Sequence, residues 1–104
     1  MPHIPSLKAG FFKTLAHPVR IRVLELLGSG ERSVTELQRA LEIEQSNLSQ
    51  QLGVLRNAGF VSARRDGSSV FYSVTDERIS DVLVIARQVL IDAAAQTHEQ
   101  LESS

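Results

Sequence analysis

The sequence predicts a mainly α-helical domain with a small β-hairpin, and three observations lead to that prediction. Apolar residues recur at helical spacing from Leu7 to Leu55, in four segments separated by short connections. After Gly59 the period changes to two, in short segments on either side of Asp66-Gly67, which is the pattern of a hairpin. A long helical segment from about Glu77 to Leu101 follows. Four helices, a hairpin and a fifth helix, with a tight connection between the third and fourth helices, are typical of a winged helix-turn-helix.

The length and composition are those of a single domain spanning residues 1–104. The absence of cysteine excludes disulfides and thiolate metal sites. No apolar run approaches the roughly 20 residues of a membrane span, and the first ten residues lack the charged and apolar regions of a signal peptide. We therefore expect a cytoplasmic protein without a membrane partner.

The first two helices are predicted from the residues at their ends. Ser6 is a candidate N-cap for the first helix, and Pro18, after His17, suits the first turn of the second. Gly28 and Gly30 end the second helix. His17 is expected to close a cap or a packing contact.

The third and fourth helices form the predicted helix-turn-helix. Ser33 and Glu36 make a capping-box signature that opens the third helix, which runs to about Leu41. The fourth helix, at about residues 46–58, follows the short connection of residues 42–45. The leucines of the fourth helix are expected to pack in the core and to turn its polar residues outward. They are Leu48, Leu52 and Leu55.

Short, uncharged polar side chains fill the first half of the fourth helix, which is the predicted recognition helix. They are Gln45, Ser46, Asn47, Ser49, Gln50 and Gln51. Amide side chains can pair with adenine through two hydrogen bonds, and hydroxyl groups can bond several base edges. The second helix of a helix-turn-helix enters the DNA major groove with its N-terminal half. A polar helix face can also be an ordinary solvated surface, but its position between a short turn and a basic hairpin favours base contacts.

The hairpin, at about residues 61–74, forms the predicted wing. Two arginines precede its turn and two serines follow it: Arg64, Arg65, Ser68 and Ser69. We predict that these side chains contact DNA phosphates or a neighbouring minor groove. Arg56, at the end of the recognition helix, is predicted to reach a phosphate as well. The alternative for the wing arginines is a pair of solvated charges.

Charge is distributed unevenly along the chain, although the net charge is only -1. Residues 1–44 carry six basic and five acidic side chains, residues 45–75 carry three and one, and residues 76–104 carry two and six. The positive excess therefore coincides with the segment that is predicted to contact DNA.

The long last helix, at about residues 77–101 after an Asp76 cap, has more apolar surface than a domain of this size is expected to cover. We predict that this helix and the first helix form a homodimer interface. The predicted interface residues are Leu7, Phe11, Phe12, Ile79, Leu83, Ala86, Leu90 and Ala93. The alternative is that the last helix folds back onto its own domain.

The sequence lacks the common motifs of enzyme active sites. It contains no nucleotide-binding loop, no His-Glu-x-x-His and no Gly-x-Ser-x-Gly. We predict no catalytic residue and no cofactor.

Three motifs resemble those of the ArsR/SmtB-type bacterial repressors, and the resemblance covers nearly the whole length of the chain. They are LAHPVRIRVLELL at residues 15–27, QSNLSQQLGVLRNAGFV at residues 45–61 and RRDGSSVFYSV at residues 64–74. The resemblance implies a homodimer joined by its first and last helices. It also implies binding to an inverted-repeat operator near the protein's own promoter and release from DNA by an inducer. The residues themselves fit a repressor or an activator.

The metal sites of many members of that family are not matched here. The resemblance would place a Cys-x-Cys pair in the third helix, but residues 34–41 contain no cysteine. It would place an Asp-x-His in the last helix, but Asp81 is followed by Val82 and Leu83. Neither metal site of the family is therefore expected.

A weaker possibility of a metal site remains near the C-terminus. His98 and Glu102 lie four residues apart and can share one helix face, with Asp92 or His3 as a further ligand. Solvated polar residues near a fraying helix end are the favoured alternative, so we predict no metal. The effector stays open between a small organic molecule, a metal at an unusual site and no effector at all.

The functional prediction is a sequence-specific DNA-binding transcriptional regulator that acts as a repressor. A second hypothesis, from another class, keeps the winged-helix scaffold but uses the last helix to dock a protein partner, without DNA binding. The two differ in DNA affinity, which falls steeply with salt in the first case and is absent in the second.

Overall fold

Five helices and three strands make up the part of the chain that the structure describes. The computed structural model describes residues 3–103, without the side chains of residues 99–101 and 103. In chain order the elements are α1 (Ile4–Leu15), α2 (Pro18–Leu27), β1 (Arg32–Ser33), α3 (Val34–Leu41), α4 (Gln45–Asn57), β2 (Val61–Asp66), β3 (Ser69–Val74) and α5 (Glu77–Ser103). The predicted order of four helices, a hairpin and a fifth helix is confirmed. Within the described residues, no helix is long and apolar enough to cross a membrane.

The first helix begins earlier than predicted. His3 is the N-cap of α1, and Pro5 lies in the first turn, where a missing N–H removes no intrahelical hydrogen bond. Ser6 is therefore inside the helix, and its hydroxyl forms a hydrogen bond of 2.8 Å with His3 Nδ1. The prediction that Ser6 is the N-cap is wrong.

Two other helix caps are confirmed. His17 Nδ1 accepts a hydrogen bond of 3.1 Å from the Val19 N–H, so the imidazole caps α2. At the start of α3 the Ser33 hydroxyl accepts from the Glu36 N–H at 3.1 Å, and the Glu36 carboxylate accepts from the Ser33 N–H at 3.2 Å. The second bond holds the pKa of Glu36 below its ordinary value. These caps fix the start of the helix that leads into the turn before α4.

The three strands form one antiparallel sheet in the order β1-β3-β2. The sequence pattern does not predict β1, because two residues are too few to show a period of two. In the hairpin Asp66 lies opposite Ser69, so the turn consists of Gly67 and Ser68, one residue later than predicted. Gly67 has a φ of +62°, and a positive φ at the first of two turn residues is characteristic of a type II′ turn.

The core lies between α2, α3 and α4. Its largest fully buried side chains are Val23, Leu24, Leu37, Leu48, Leu52 and Leu55. The predicted packing of the three leucines of α4 is therefore confirmed. Because these leucines occupy one side of α4, the opposite side of that helix faces solvent.

Only the first turns of α5 pack on the core of their own chain. Asp76 Oδ1 accepts a hydrogen bond of 2.9 Å from the Arg78 N–H at the start of the helix. Ile79 is buried, and Leu83 is half-buried against the core. From residue 84 to residue 98 every side chain is exposed. The alternative that the last helix folds back onto its own domain therefore fails for most of its length.

Candidate nucleic-acid interface

The turn between α3 and α4 sets the direction of the recognition helix. Glu42 ends α3 in the left-handed region, with a φ of +52°. Its N–H donates to the Gln38 carbonyl over 2.9 Å, which closes the last turn of α3. Only residues 42–44 connect the two helices. A connection this short places α4 across α3 in the manner of a helix-turn-helix.

A polar cleft of about 360 Å³ separates the first half of α4 from the wing. Side chains with hydroxyl or amide groups line it: Ser33, Thr35, Gln45, Ser49, Ser68, Ser69 and Tyr72. Most protein–DNA hydrogen bonds go to phosphate and sugar groups, and neutral polar side chains supply many of them. The cleft is therefore suited to a nucleic-acid backbone that passes between α4 and the wing.

The solvent side of α4 carries most of the side chains predicted to contact bases. Those exposed are Gln45, Ser46, Ser49 and Gln50, whereas Asn47 is half-buried. Gln50 lies two residues after the buried Leu48 and so projects away from the core. The helix N-terminus adds unpaired backbone N–H groups on the same side, which favour anionic groups.

Gln51 is an exception to the predicted set of base-contacting residues. It is only 6% exposed, because it lies three residues after Leu48 and four before Leu55, on the buried side of α4. Its Nε2 donates to Asn47 Oδ1 over 3.1 Å. Within the described residues its buried Oε1 has no hydrogen-bond partner. Gln51 cannot contact a base in this structure, and its direct partner is Asn47.

Arg64 of the wing is bound to the protein itself. Its Nη2 lies 2.7 Å from Glu31 Oε1, and its Nε donates to Glu31 Oε2 over 3.2 Å. Its guanidinium carbon lies 4.8 Å from the ring centroid of Phe71, the residue opposite it on β3. The hydrogen bonds from Arg64 hold the pKa of the Glu31 carboxyl below its ordinary value. The predicted DNA contact of Arg64 is therefore replaced by a contact with Glu31 in this structure.

Arg65 lies on the opposite face of β2, because side chains alternate along a strand. Its register partner is Val70, which lines the cleft between α4 and the wing. Arg65 is exposed, and none of the carboxylates that the structure describes forms an ion pair with it. Arg56, at the end of α4, is also exposed and has no ion pair among the described side chains. These two cations remain available to phosphates.

Comparison with known proteins identifies the family of this chain. Residues 15–63 match a helix-turn-helix domain model. The HTH-type transcriptional regulator Rv0081 of Mycobacterium tuberculosis is 60% identical over 86 residues, which cover 82% of this chain and 75% of that protein. A probable mercury resistance operon repressor of Streptomyces lividans is 41% identical over 91 residues, which cover 88% and 73%.

Two solved structures extend the likeness to the fold. The crystal structure of M. tuberculosis Rv0081 superposes with a TM-score of 0.82 at 52% identity, over 92% of this chain and 97% of that one. The homodimeric winged helix-turn-helix DNA-binding domain of Mb0332 from Mycobacterium bovis, a possible ArsR-family regulator, gives a TM-score of 0.72 at 30% identity, over 86% of this chain and 82% of that one. This chain belongs to the ArsR/SmtB-type winged helix-turn-helix transcriptional regulators. The family predicted from the three motifs is confirmed, and the regulator has the winged helix-turn-helix fold of its relatives.

Not all residues that are predicted to form the dimer interface of this regulator are exposed. Leu7, Phe12, Ala86, Leu90 and Ala93 are exposed. Phe11 and Leu83 are half-buried against the core, so they border this surface. Ile79 is 8% exposed and belongs to the core, because the first turn of α5 still packs on α2. Its assignment to the interface is corrected accordingly.

Further apolar side chains of the regulator extend the same surface. They are Ile4, Val84, Ile85, Val89 and Ile91, all exposed. These residues do not all lie on one stripe at helical spacing, so the predicted interface does not include them. The feature of the sequence that indicates this wider surface is the high apolar content of residues 82–95 on several sides of α5.

The possible metal ligands of the regulator do not converge. His98 Nε2 lies 2.9 Å from Glu102 Oε1, so the predicted pairing on one helix face is present. His3 contacts Ser6 within its own helix. Among the described side chains, no group of three or more His, Cys, Asp or Glu residues is placed to hold a metal ion.

Proposed function

We propose that this regulator acts as a homodimeric repressor that binds an inverted-repeat operator and leaves it when an effector binds. The observation that supports the proposal most directly is the polar cleft between α4 and the wing, bordered by the exposed polar side of α4. In this proposal α4 enters the major groove and the DNA backbone occupies the cleft. The cytoplasm is the compartment in which such a protein would meet chromosomal DNA.

The proposed base contacts come from the exposed side of α4. They involve Gln45, Ser46, Ser49 and Gln50, with Asn47 at the edge. Arg56, Arg65, Ser68 and Ser69 are proposed to bind the backbone. The amides are suited to adenine and the hydroxyl groups to several base edges. Backbone contacts set the orientation of α4 and contribute affinity without selecting a sequence.

The proposed dimer is formed by α1 and α5. Both helices leave large apolar side chains uncovered, including Leu7 and Phe12 on α1 and Leu90 on α5. An apolar surface of this extent on a small domain marks an interaction site. In a two-fold dimer the two α4 helices would enter successive major grooves about 34 Å apart, which accounts for an inverted-repeat operator.

The proposed release from DNA is a change in dimer geometry. An effector shifts a regulator between two geometries only if it binds one of them more tightly. The candidates for this effector are a small organic molecule and a metal at an unusual site, and the alternative is a regulator that has no effector.

Arg65→Ala is expected to weaken DNA binding similarly on all sequences, because Arg65 is the wing arginine that forms no ion pair among the described side chains. Each lost phosphate contact lowers the slope of log affinity against log salt by about one. Fluorescence anisotropy between low and moderate salt measures that slope. Arg22→Ala is the matched control, since Arg22 is an exposed arginine of α2 that pairs with Glu25 over 3.5 Å. An unchanged slope for Arg65→Ala would contradict the phosphate contact.

Gln51→Met is expected to separate DNA binding from stability. Methionine is similar in size to glutamine and removes the buried, unpaired Oε1, so the free energy of unfolding should change by less than about 1.5 kcal/mol. Asn47 loses its hydrogen-bond partner, so preference at the base it contacts should weaken. Selection of binding sites by the variant, together with urea unfolding, tests both points. Unchanged base preference at every position would rule out a role for Gln51 through Asn47.

The proposed function is tested by selecting duplexes from a random-sequence pool with the wild-type protein and by footprinting the DNA upstream of its gene. We expect an inverted repeat in the selected duplexes and protection of a matching upstream site. The affinity should fall steeply with salt. Failure to bind any duplex at low salt would contradict the proposal and favour the alternative, a winged-helix module that binds a protein partner without binding DNA.

A further inference from the structure

We infer that Glu31 is a positioning residue for DNA binding, which holds the wing in place through Arg64, and that Arg64 does not itself contact DNA. This inference rests on the proposed function. Glu31 lies in the loop between α2 and β1, far from Arg64 in sequence, and no motif singles it out. The pair joins this loop to the outer part of the hairpin.

The geometry of the pair fixes the direction of the Arg64 side chain. Two nitrogens of the guanidinium, Nη2 and Nε, meet the two carboxylate oxygens of Glu31 at 2.7 Å and 3.2 Å. Two parallel hydrogen bonds of this kind define an orientation as well as a distance. The Phe71 ring supports the cation from the neighbouring strand at 4.8 Å, and Asp66 lies 3.7 Å from Nη1. Arg64 is thus held by three groups of its own chain.

Arg64 also lies on the side of the hairpin that faces away from the proposed DNA cleft. Val70 and Tyr72 line that cleft, and their register partners on β2 are Arg65 and Ala63. Arg64 alternates with these two residues and so belongs to the other face. On that side, Glu31 lines a separate groove with Ser73 of β3. The two neighbouring arginines of the wing therefore have different tasks.

The Glu31–Arg64 pair matters for the wing because few other contacts hold the outer half of the hairpin in position. The inner half of the hairpin packs on the core, and β3 pairs there with β1 at Arg32 and Ser33. Beyond this attachment the hairpin continues as two strands to the turn at Gly67. A two-stranded hairpin is marginally stable on its own. The Glu31–Arg64 pair adds a second attachment at the point where the hairpin leaves the sheet.

A direct phosphate contact of Arg64 would predict the opposite effect of a Glu31 substitution on DNA binding. If Arg64 bound phosphate, Glu31 would compete with DNA for its guanidinium, and Glu31→Gln would strengthen binding and steepen its salt dependence. If Glu31 positions the wing, Glu31→Gln weakens binding, and the salt slope falls by no more than about one, because Arg65 is the wing cation proposed to bind phosphate. The two roles are therefore separable by the sign of one measured change.

The test uses the full-length chain and a fluorescein-labelled 30-base-pair duplex carrying the sequence that the wild-type protein selects. We expect Glu31→Gln and Arg64→Ala each to weaken binding about 3- to 10-fold, and the double variant to bind no more weakly than Arg64→Ala alone. The slope of log affinity against log salt should fall by the same amount in all three, at most about one, because each variant weakens the same phosphate contact of Arg65. Glu25→Gln, which removes a carboxylate from the exposed surface of α2, is the control for net charge.

A role in stability alone is distinguished by thermal unfolding. Both partners are exposed, so the pair should contribute little to global stability, and the midpoint should shift by less than about 4 °C. Tighter binding by Glu31→Gln, or a salt slope that falls for Arg64→Ala but not for Glu31→Gln, would overturn the inference. Failure of the wild-type protein to select any sequence would instead overturn the proposed function, so the two failures are distinguishable.

Discussion

Leu90→Lys is expected to convert the protein to a monomer and to weaken binding to its selected DNA at least about 100-fold. Leu90 is 70% exposed in the single chain, so the substitution removes no contact from the core. In the proposed dimer the lysine would be buried without a partner, and an uncompensated buried charge costs several kcal/mol. DNA affinity falls when the dimer is lost, because a monomer holds only one half-site. Analytical ultracentrifugation and anisotropy measure the two effects.

Gln88→Lys is the matched control for this substitution. Gln88 is an exposed residue of the same helix and lies on its polar side, seven residues after Asp81 and four before Asp92. We expect it to leave the dimer intact. Circular dichroism should show a folded protein in both variants, because neither position contributes to the core. A dimeric Leu90→Lys protein with wild-type affinity would show that α5 is not the interface.

The helix-turn-helix was predictable from sequence because local rules determine it. The capping box of Ser33 and Glu36, the imidazole cap of His17 and the three leucines of α4 depend on residues close together in the chain. Each local preference agrees with the final packing, so the pattern and the structure coincide.

The boundary between core and surface was less predictable. Ile79 continues the periodicity of α5, but its burial depends on how far the core of the same chain reaches along that helix. Gln51 is buried because of its spacing to Leu48 and Leu55, although its polar side chain is typical of a solvent-facing position. A periodic pattern marks the side of a helix that is apolar. It does not give the length over which that side is covered by the same chain.

The different positions of Arg64 and Arg65 could not be predicted from their order in the sequence. Adjacent residues of a strand always point to opposite faces, but the pattern alone does not say which face meets the cleft. The register with β3 decides this, and the two-residue strand β1 fixes where the sheet joins the protein. Glu31 is brought to Arg64 only by that arrangement.

Gln50→Ala is expected to weaken binding to the selected sequence about 5- to 150-fold, which corresponds to the roughly 1–3 kcal/mol of discrimination supplied by a good pair of side-chain-to-base hydrogen bonds. Gln50 is exposed and projects from the side of α4 opposite Leu48, which places its amide at the proposed groove surface. Binding to an unrelated duplex should change little, because non-specific affinity comes from phosphate contacts. Anisotropy with the selected and the unrelated duplex measures the ratio.

Gln88→Ala makes the same chemical change outside the proposed DNA surface and should leave both affinities at the wild-type value. The comparison measures base recognition without an effect of charge on DNA affinity, since neither substitution alters the net charge. An equal loss on both duplexes for Gln50→Ala would mean that its amide binds the backbone. An unchanged affinity on both duplexes would mean that Gln50 does not contact a base. The neighbouring Ser46, Asn47 and Ser49 would then be the candidates for base recognition, because they are polar side chains of the same half of α4 that the core leaves accessible.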